Sequence, residues 1–175
     1  MRYIMLYVFV EGPDDENFIN RYFNLNGYDS DSYRLIPYAQ KTQKYVNGFI
    51  KSINSMPDSE YILLADADKK GVSERKQLIN DKYCCLSSDR IFVVQNEIES
   101  WYLAGLSEES SRELKLKCYQ CTDSITKEEF NNYIGKNSRI IVLSRILDAY
   151  CIAVATQKNT TFKEFHESRI YEKCK

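Results

Sequence analysis

Apolar residues in the first half of the chain fall in short continuous runs, each bounded by turn-forming or charged residues. The runs are YIMLYVFV at 3–10, YRLIPY at 33–38, YILLAD at 61–66 and RIFVVQ at 90–95. Runs of this length without polar alternation predict strands buried on both faces, as in a parallel sheet. Between them the period changes. Phe18, Ile19, Tyr22 and Phe23 recur at helical spacing, with Pro13 and acidic residues near the start and Gly27 beyond the end; this predicts a helix with both ends marked. Segments 41–55 and 71–82 read as two more helices. From ESWYLAGL onward the pattern is helical only, at 98–106, 108–116, 126–134, 138–156 and 160–172.

Strands alternating with helices predict an α/β fold: a doubly wound, mostly parallel four-stranded sheet of Rossmann type, followed by a C-terminal helical extension. Residues 1–105 form the expected core and 106–175 the extension, packed together as one continuous domain. A chain of 175 residues is long enough to build one core without disulfides or metals as staples. No internal repeat or Pro/Gly-rich linker interrupts it, and Pro13, Pro37 and Pro57 all sit at the edges of apolar segments.

Charge changes the picture little. A formal net charge of −1 gives no global electrostatic case for nucleic acid, so any polyanion site must be local. The apolar start, MRYIMLYVFVEG, is too short for a membrane span and lacks a signal-peptide cleavage pattern, so a cytoplasmic protein without a membrane partner is expected. Cys84, Cys85, Cys118, Cys121, Cys151 and Cys174 then read as free thiols. CYQC is a lone CxxC, and His166, the single histidine, supplies no evident second ligand pair for zinc.

The acids are where the chemistry gathers. In an open parallel sheet, ligands bind beyond the carboxyl ends of the strands. The first strand ends at Glu11, the third at Asp66 and Asp68, and the fourth runs into Glu97 and Glu99. Side chains alternate along an extended chain, so each pair can point to one side. Clustered carboxylates oppose each other's ionisation. A divalent cation offsets that cost, and Mg2+ or Mn2+ fits best, taking one or two carboxylates and leaving positions for water and phosphate. A calcium loop counted from Asp66 fails at Lys70 and Gln77, where it needs oxygen ligands. A phosphatase DxDxT would follow the first strand and needs Thr where Lys70 stands. A nucleotide-sugar transferase would need a longer chain.

Two motifs in this order, VEGPDD with Glu11 and Gly12, and LLADADKKG with Asp66 and Asp68, resemble the Toprim domain of topoisomerases, primases and small nucleases. QNEIESWYLAG resembles the third acidic segment of stand-alone Toprim-like proteins, including relatives of the overcoming-lysogenization-defect nucleases, and NTTFKEFHE resembles the tail of one such small group. The core of the resemblance covers about residues 3–105.

The resemblance implies Mg2+-dependent hydrolysis of nucleic-acid phosphodiesters, in DNA processing or defence. Glu11 would be the general acid or base, Asp66 and Asp68 would hold the metal with Glu11, and Glu97 or Glu99 would complete an ion site. Asp15 would be a supporting acid in the turn opened by Gly12, and Lys69 and Lys70 would meet substrate phosphates or face water. Phosphoryl transfer independently calls for charge neutralisation and positioning, which clustered carboxylates and metals supply. There is no room for a topoisomerase's DNA-gripping domain or a primase's template modules, which leaves hydrolysis by activated water. Two other readings stand beside it: a non-catalytic Toprim-like subunit that partners an ATPase, and a receiver-like phosphorylation module, which would need a fifth strand followed by Lys. Trp101, Tyr102 and Leu103 are expected in the core. Lys41, Lys44, Lys51, Arg75, Lys76, Arg139 and Arg145 read as solvated unless the fold lines them up.

Overall fold

The structure is a computed structural model that describes residues 4–168. Tyr3 of the first predicted strand, residues 169–172 of the last predicted helix and Cys174 lie outside the described residues. Two compact units make up the described chain: residues 4–65 with 70–93, and Asp66–Lys69 with Val94–Ser168.

In the first unit, strands β1 (Met5–Val10), β2 (Tyr33–Pro37), β3 (Ser59–Asp66) and β4 (Ile91–Val94) form a sheet of order β2-β1-β3-β4. All four strands run parallel. Val8 lies opposite Leu35 on one side and Ile62 on the other, so β1 is an inner strand. Leu6, Val8, Phe9 and Val10 are fully buried, which explains the unbroken apolar run: a strand covered on both faces has no polar side. The strand order reverses direction between β1 and β3, the place where doubly wound sheets open a crevice at their carboxyl ends.

Three helices belong to this unit. In α1 (Pro13–Leu25), Pro13 occupies the first turn, where its missing N–H costs nothing, and Phe18, Ile19, Tyr22 and Phe23 are buried. Phe23 packs its ring 4.8 Å from those of both Tyr28 and Tyr33. Burial of each such side chain contributes about 1.5–3 kcal/mol. Helix α2 (Gln43–Asn54) is capped by Thr42, whose hydroxyl accepts the Tyr45 N–H at 3.2 Å, and buries Val46, Ile50 and Ile53. Helix α3 (Val72–Lys82) buries only Ile79.

The second unit is helical: α4 (Glu99–Ala104), α5 (Glu108–Leu114), α6 (Lys127–Ile134), α7 (Arg139–Asp148), α8 (Ile152–Lys158) and α9 (Thr160–Glu167). Its core is built on Trp101, which is fully buried with Tyr102 and Leu103 as expected. The indole stands edge-on to Phe162 at 5.4 Å, lies 5.2 Å from Phe165, and donates to the Thr161 hydroxyl at 2.9 Å. Asn159 joins α8 to α9, accepting the Phe162 N–H at 2.9 Å and donating to the Thr122 hydroxyl at 3.1 Å.

The single helix expected over 138–156 is two helices, α7 and α8, bent by 108°. The break has a packing cause. The Cys151 N–H donates to the Gly105 carbonyl at 2.9 Å instead of continuing the helical ladder, and the Tyr150 hydroxyl donates to the Trp101 carbonyl at 3.1 Å. A Cβ on Gly105 would stand 2.3 Å from the Tyr150 ring, so only glycine admits this approach. No single helix among the described residues is long and apolar enough to cross a membrane.

Candidate acidic site

In the first unit, Glu11 follows β1 directly. Its Oε1 accepts from the Arg75 guanidinium at 2.9 Å and from the Tyr38 hydroxyl at 3.1 Å. Arg75 is on the second turn of α3, and Tyr38 follows β2, anchored by its N–H to the Val10 carbonyl at 2.9 Å. Burial and then the Glu11 charge push the Tyr38 phenol far above its ordinary range, so it stays protonated and can only donate to the carboxylate.

Gly12 is the N-cap of α1, and Asp15, two positions inside the helix from Pro13, accepts the Gly12 N–H at 3.1 Å through Oδ2. Asp15 is only 5 % exposed, and its Oδ1 is buried without a hydrogen-bond partner. Burial first, and then the neighbouring Glu11 charge, push its carboxyl up to about 7. A buried acid with an unsatisfied oxygen beside a second carboxylate is suited to holding a proton near neutral pH.

The DxD lies in the second unit. Asp66 closes β3, Ala67 donates its N–H to the Val94 carbonyl at 2.9 Å, and Asp68 donates its own to the Asn96 carbonyl at 3.0 Å. Both Asp68 (φ +54°) and Asn96 (φ +61°) adopt the left-handed conformation. Asp and Asn tolerate that region best among residues with a Cβ. Asn96 is fixed further by donating to the Asp123 carbonyl at 2.9 Å. Glu97 accepts the N–H of Lys127, the first residue of α6, and so sits at the positive end of that helix.

These turns line a cleft of about 150 Å³ formed by Asp68, Lys69, Asn96, Glu97, Thr126 and Glu128. The structure therefore brings Asp68, Glu97 and Lys69 together, and adds Glu128. Lys70 instead reaches Glu74 one turn along the surface at 3.2 Å. Glu99 begins α4 and is buried, ion-paired to Arg139, which also donates to Asn131 Oδ1 at 2.7 Å and lies 5.2 Å over the Phe130 ring. Among the described residues, no three His, Cys, Asp or Glu side chains are gathered closely enough to hold an ion as they stand. Cys118 and Cys121 are free thiols, as are Cys84, Cys85 and Cys151, and the His166 ring stacks on Phe162.

Sequence reasoning missed Glu128, Tyr38 and the role of Arg75. Glu128 reads as an ordinary first-turn acid of a capped helix, since Thr126 and Glu129 form a capping box there. Tyr38 and Arg75 carry no local signal, because what defines them is contact with Glu11 across sequence separations of 27 and 64.

Neither a family model nor a curated protein matches the sequence. Solved structures do. The C-terminal region of the Burkholderia pseudomallei OLD protein aligns with a TM-score of 0.58 over 97% of this chain and 98% of its own length, at 14% identity. The C-terminal region of the Xanthomonas campestris pv. campestris OLD protein aligns with the same score and identity over 99% and 97%. The fold is that of the Toprim domain. At such identity the likeness carries the fold alone. Within the Toprim fold, Glu11 follows an inner strand, β1, and the DxD begins on the last residue of its neighbour, β3.

Proposed function

We propose that this Toprim-like chain hydrolyses nucleic-acid phosphodiesters with the help of Mg2+ or Mn2+. The observation that carries the reading is the cleft where Asp68 and Glu97, from the ends of different strands, meet beside Lys69. Asp66, Asp68 and Glu97 are the residues that would hold the cation. Hard carboxylate oxygens in this number leave room for water and a substrate phosphate. When bound, such a cation neutralises phosphoryl charge and makes water acidic enough to serve as nucleophile.

The remaining roles belong to the protein. Arg75 and Tyr38 both bind Glu11 through Oε1, fixing the carboxylate's orientation. Proton transfer is assigned to Glu11 Oε2, with Asp15 as supporting acid behind it. Lys69, lining the cleft, is assigned to the substrate phosphate, whereas Lys70 is engaged with Glu74. Glu99 is left out of the ligand set, since a buried carboxylate already neutralised by Arg139 is a structural ion pair.

The purified chain should cleave DNA or RNA only when Mg2+ or Mn2+ is added, and an Asp66→Ala, Asp68→Ala double variant should lose that cleavage while keeping its circular dichroism. Equal cleavage by the double variant would overturn the assignment. A second reading, a non-catalytic subunit that partners an ATPase, is favoured by the engagement of Glu11 with Arg75. Efficient cleavage by the isolated chain decides against it.

A further inference from the structure

Helix α2 presents a face that the acidic site does not use. Val46, Ile50 and Ile53 bury one side of it. On the opposite side, Lys41 just before the helix and Lys44, Tyr45, Gly48, Lys51 and Ser52 are all exposed, and these positions recur at helical spacing. Charge is segregated here: residues 32–57 contain Arg34, Lys41, Lys44 and Lys51 and not one Asp or Glu, in a chain whose net charge is −1. None of those three lysines is ion-paired to an acid among the described residues.

The exposed ring at the centre is unusual. Tyr45 is 48% exposed; among the described aromatic residues only Tyr133, at 39%, is also exposed. Its orientation is nevertheless fixed. The ring lies nearly parallel to Phe49 (6°, 6.2 Å), and Phe49 is locked edge-on against Tyr7 at 5.5 Å and Phe9 at 5.7 Å, both on β1. Lys41 Nζ stands 5.6 Å from the Tyr45 ring centroid. A Cβ built on Gly48 would meet nothing within 4 Å, so the surface beside the ring is open. Thr42, Lys44, Tyr45, Gly48, Phe49 and Ser52 line the shallow depression there.

We infer that the exposed face of α2 binds single-stranded nucleic acid, with Tyr45 as the platform for an unpaired base and Lys41 and Lys44 as contacts for the flanking phosphates. A rigid, half-exposed aromatic ring between cations matches the way unpaired strands are held, by base stacking plus backbone charge. A duplex offers phosphates to the lysines but seals its base faces within the stack, so it gives Tyr45 nothing to meet. The inference deepens the proposed function by naming its substrate class, and rests on that reading for any link to cleavage; binding itself is testable without it.

The experiment is fluorescence anisotropy with labelled oligonucleotides of about 12 nucleotides, as single-stranded DNA, single-stranded RNA and duplex, in EDTA so that no cleavage occurs. Wild type should bind single strands more tightly than duplex. Tyr45→Ala should weaken binding by about five- to 150-fold, while Tyr45→Phe, which keeps the π-face, should stay close to wild type. Lys44→Ala should weaken binding and flatten its salt dependence by about 0.7 in log–log slope. Unchanged affinity in Tyr45→Ala, equal or tighter duplex binding, or binding to anionic lipid vesicles but not to oligonucleotides would overturn the inference. Tyr45-dependent binding without any cation-dependent cleavage would leave this surface standing and remove the nuclease reading, so the two failures are distinguishable.

Discussion

Replacing Arg139 with alanine is expected to destabilise the second unit by roughly 3–5 kcal/mol, the cost of stranding a buried charge. Glu99 is only 1% exposed, and its carboxylate faces the Arg139 guanidinium. Arg139 is held in turn by Asn131 and by the face of Phe130, so its removal also loosens the junction of α6 and α7. A paired change, Glu99→Gln with Arg139→Met, removes both charges and should recover most of the loss. Trp101, the sole tryptophan, sits two residues from Glu99 and reports this unit's unfolding by its fluorescence. Urea curves in which Arg139→Ala stays within about 1 kcal/mol of wild type would show that the ion pair is not what holds α4 to α7.

The second large effect is pH-dependent. The Asp15 carboxyl ionises near 3.8 when exposed and near 7 in the folded protein, because burial and the Glu11 charge disfavour its anion. Below 3.8 both states are protonated and there is no penalty. Between 3.8 and about 7 the folded state binds more protons than the unfolded one, so stability falls as pH rises; above about 7 the penalty is complete. Asp15→Asn keeps an oxygen for the Gly12 N–H and removes the titration. It should therefore be more stable than wild type at pH 8, by up to about 4 kcal/mol, with the advantage vanishing towards pH 4. Thermal unfolding from pH 4 to 8 measures this. A difference that stays constant across that range would mean that Asp15 does not titrate in it.

The strands were legible because a fully covered parallel strand leaves an unbroken apolar run, as in YILLAD, and α1 because Pro13 and Gly27 mark both its ends. The break between α7 and α8 was not, since its cause is the Gly105 carbonyl and the Trp101 carbonyl, far away in sequence, drawing in Cys151 and Tyr150. In the candidate site, strand-end positions were enough to place Glu11, Asp66, Asp68 and Glu97 at or just beyond the ends of β1, β3 and β4, although the left-handed Asp68 breaks the alternation expected of the DxD. They could not separate Glu97 from Glu99, or Lys69 from Lys70. Those distinctions depend on which neighbour each charge meets: the α6 N-terminus for Glu97, Arg139 for Glu99, Glu74 for Lys70. Opposite charges at i and i+4, such as Lys70 and Glu74, were visible in the sequence and point to that pair.

The left-handed turn at Asp68 and Asn96 sets backbone strain against side-chain chemistry. A left-handed backbone at a residue with a Cβ costs on the order of 1 kcal/mol, and glycine would remove that cost at either position. Asp68→Gly relieves that backbone cost while deleting a carboxylate from the cleft. On the proposed function, substitutions that relax this turn should cost cleavage more than folding.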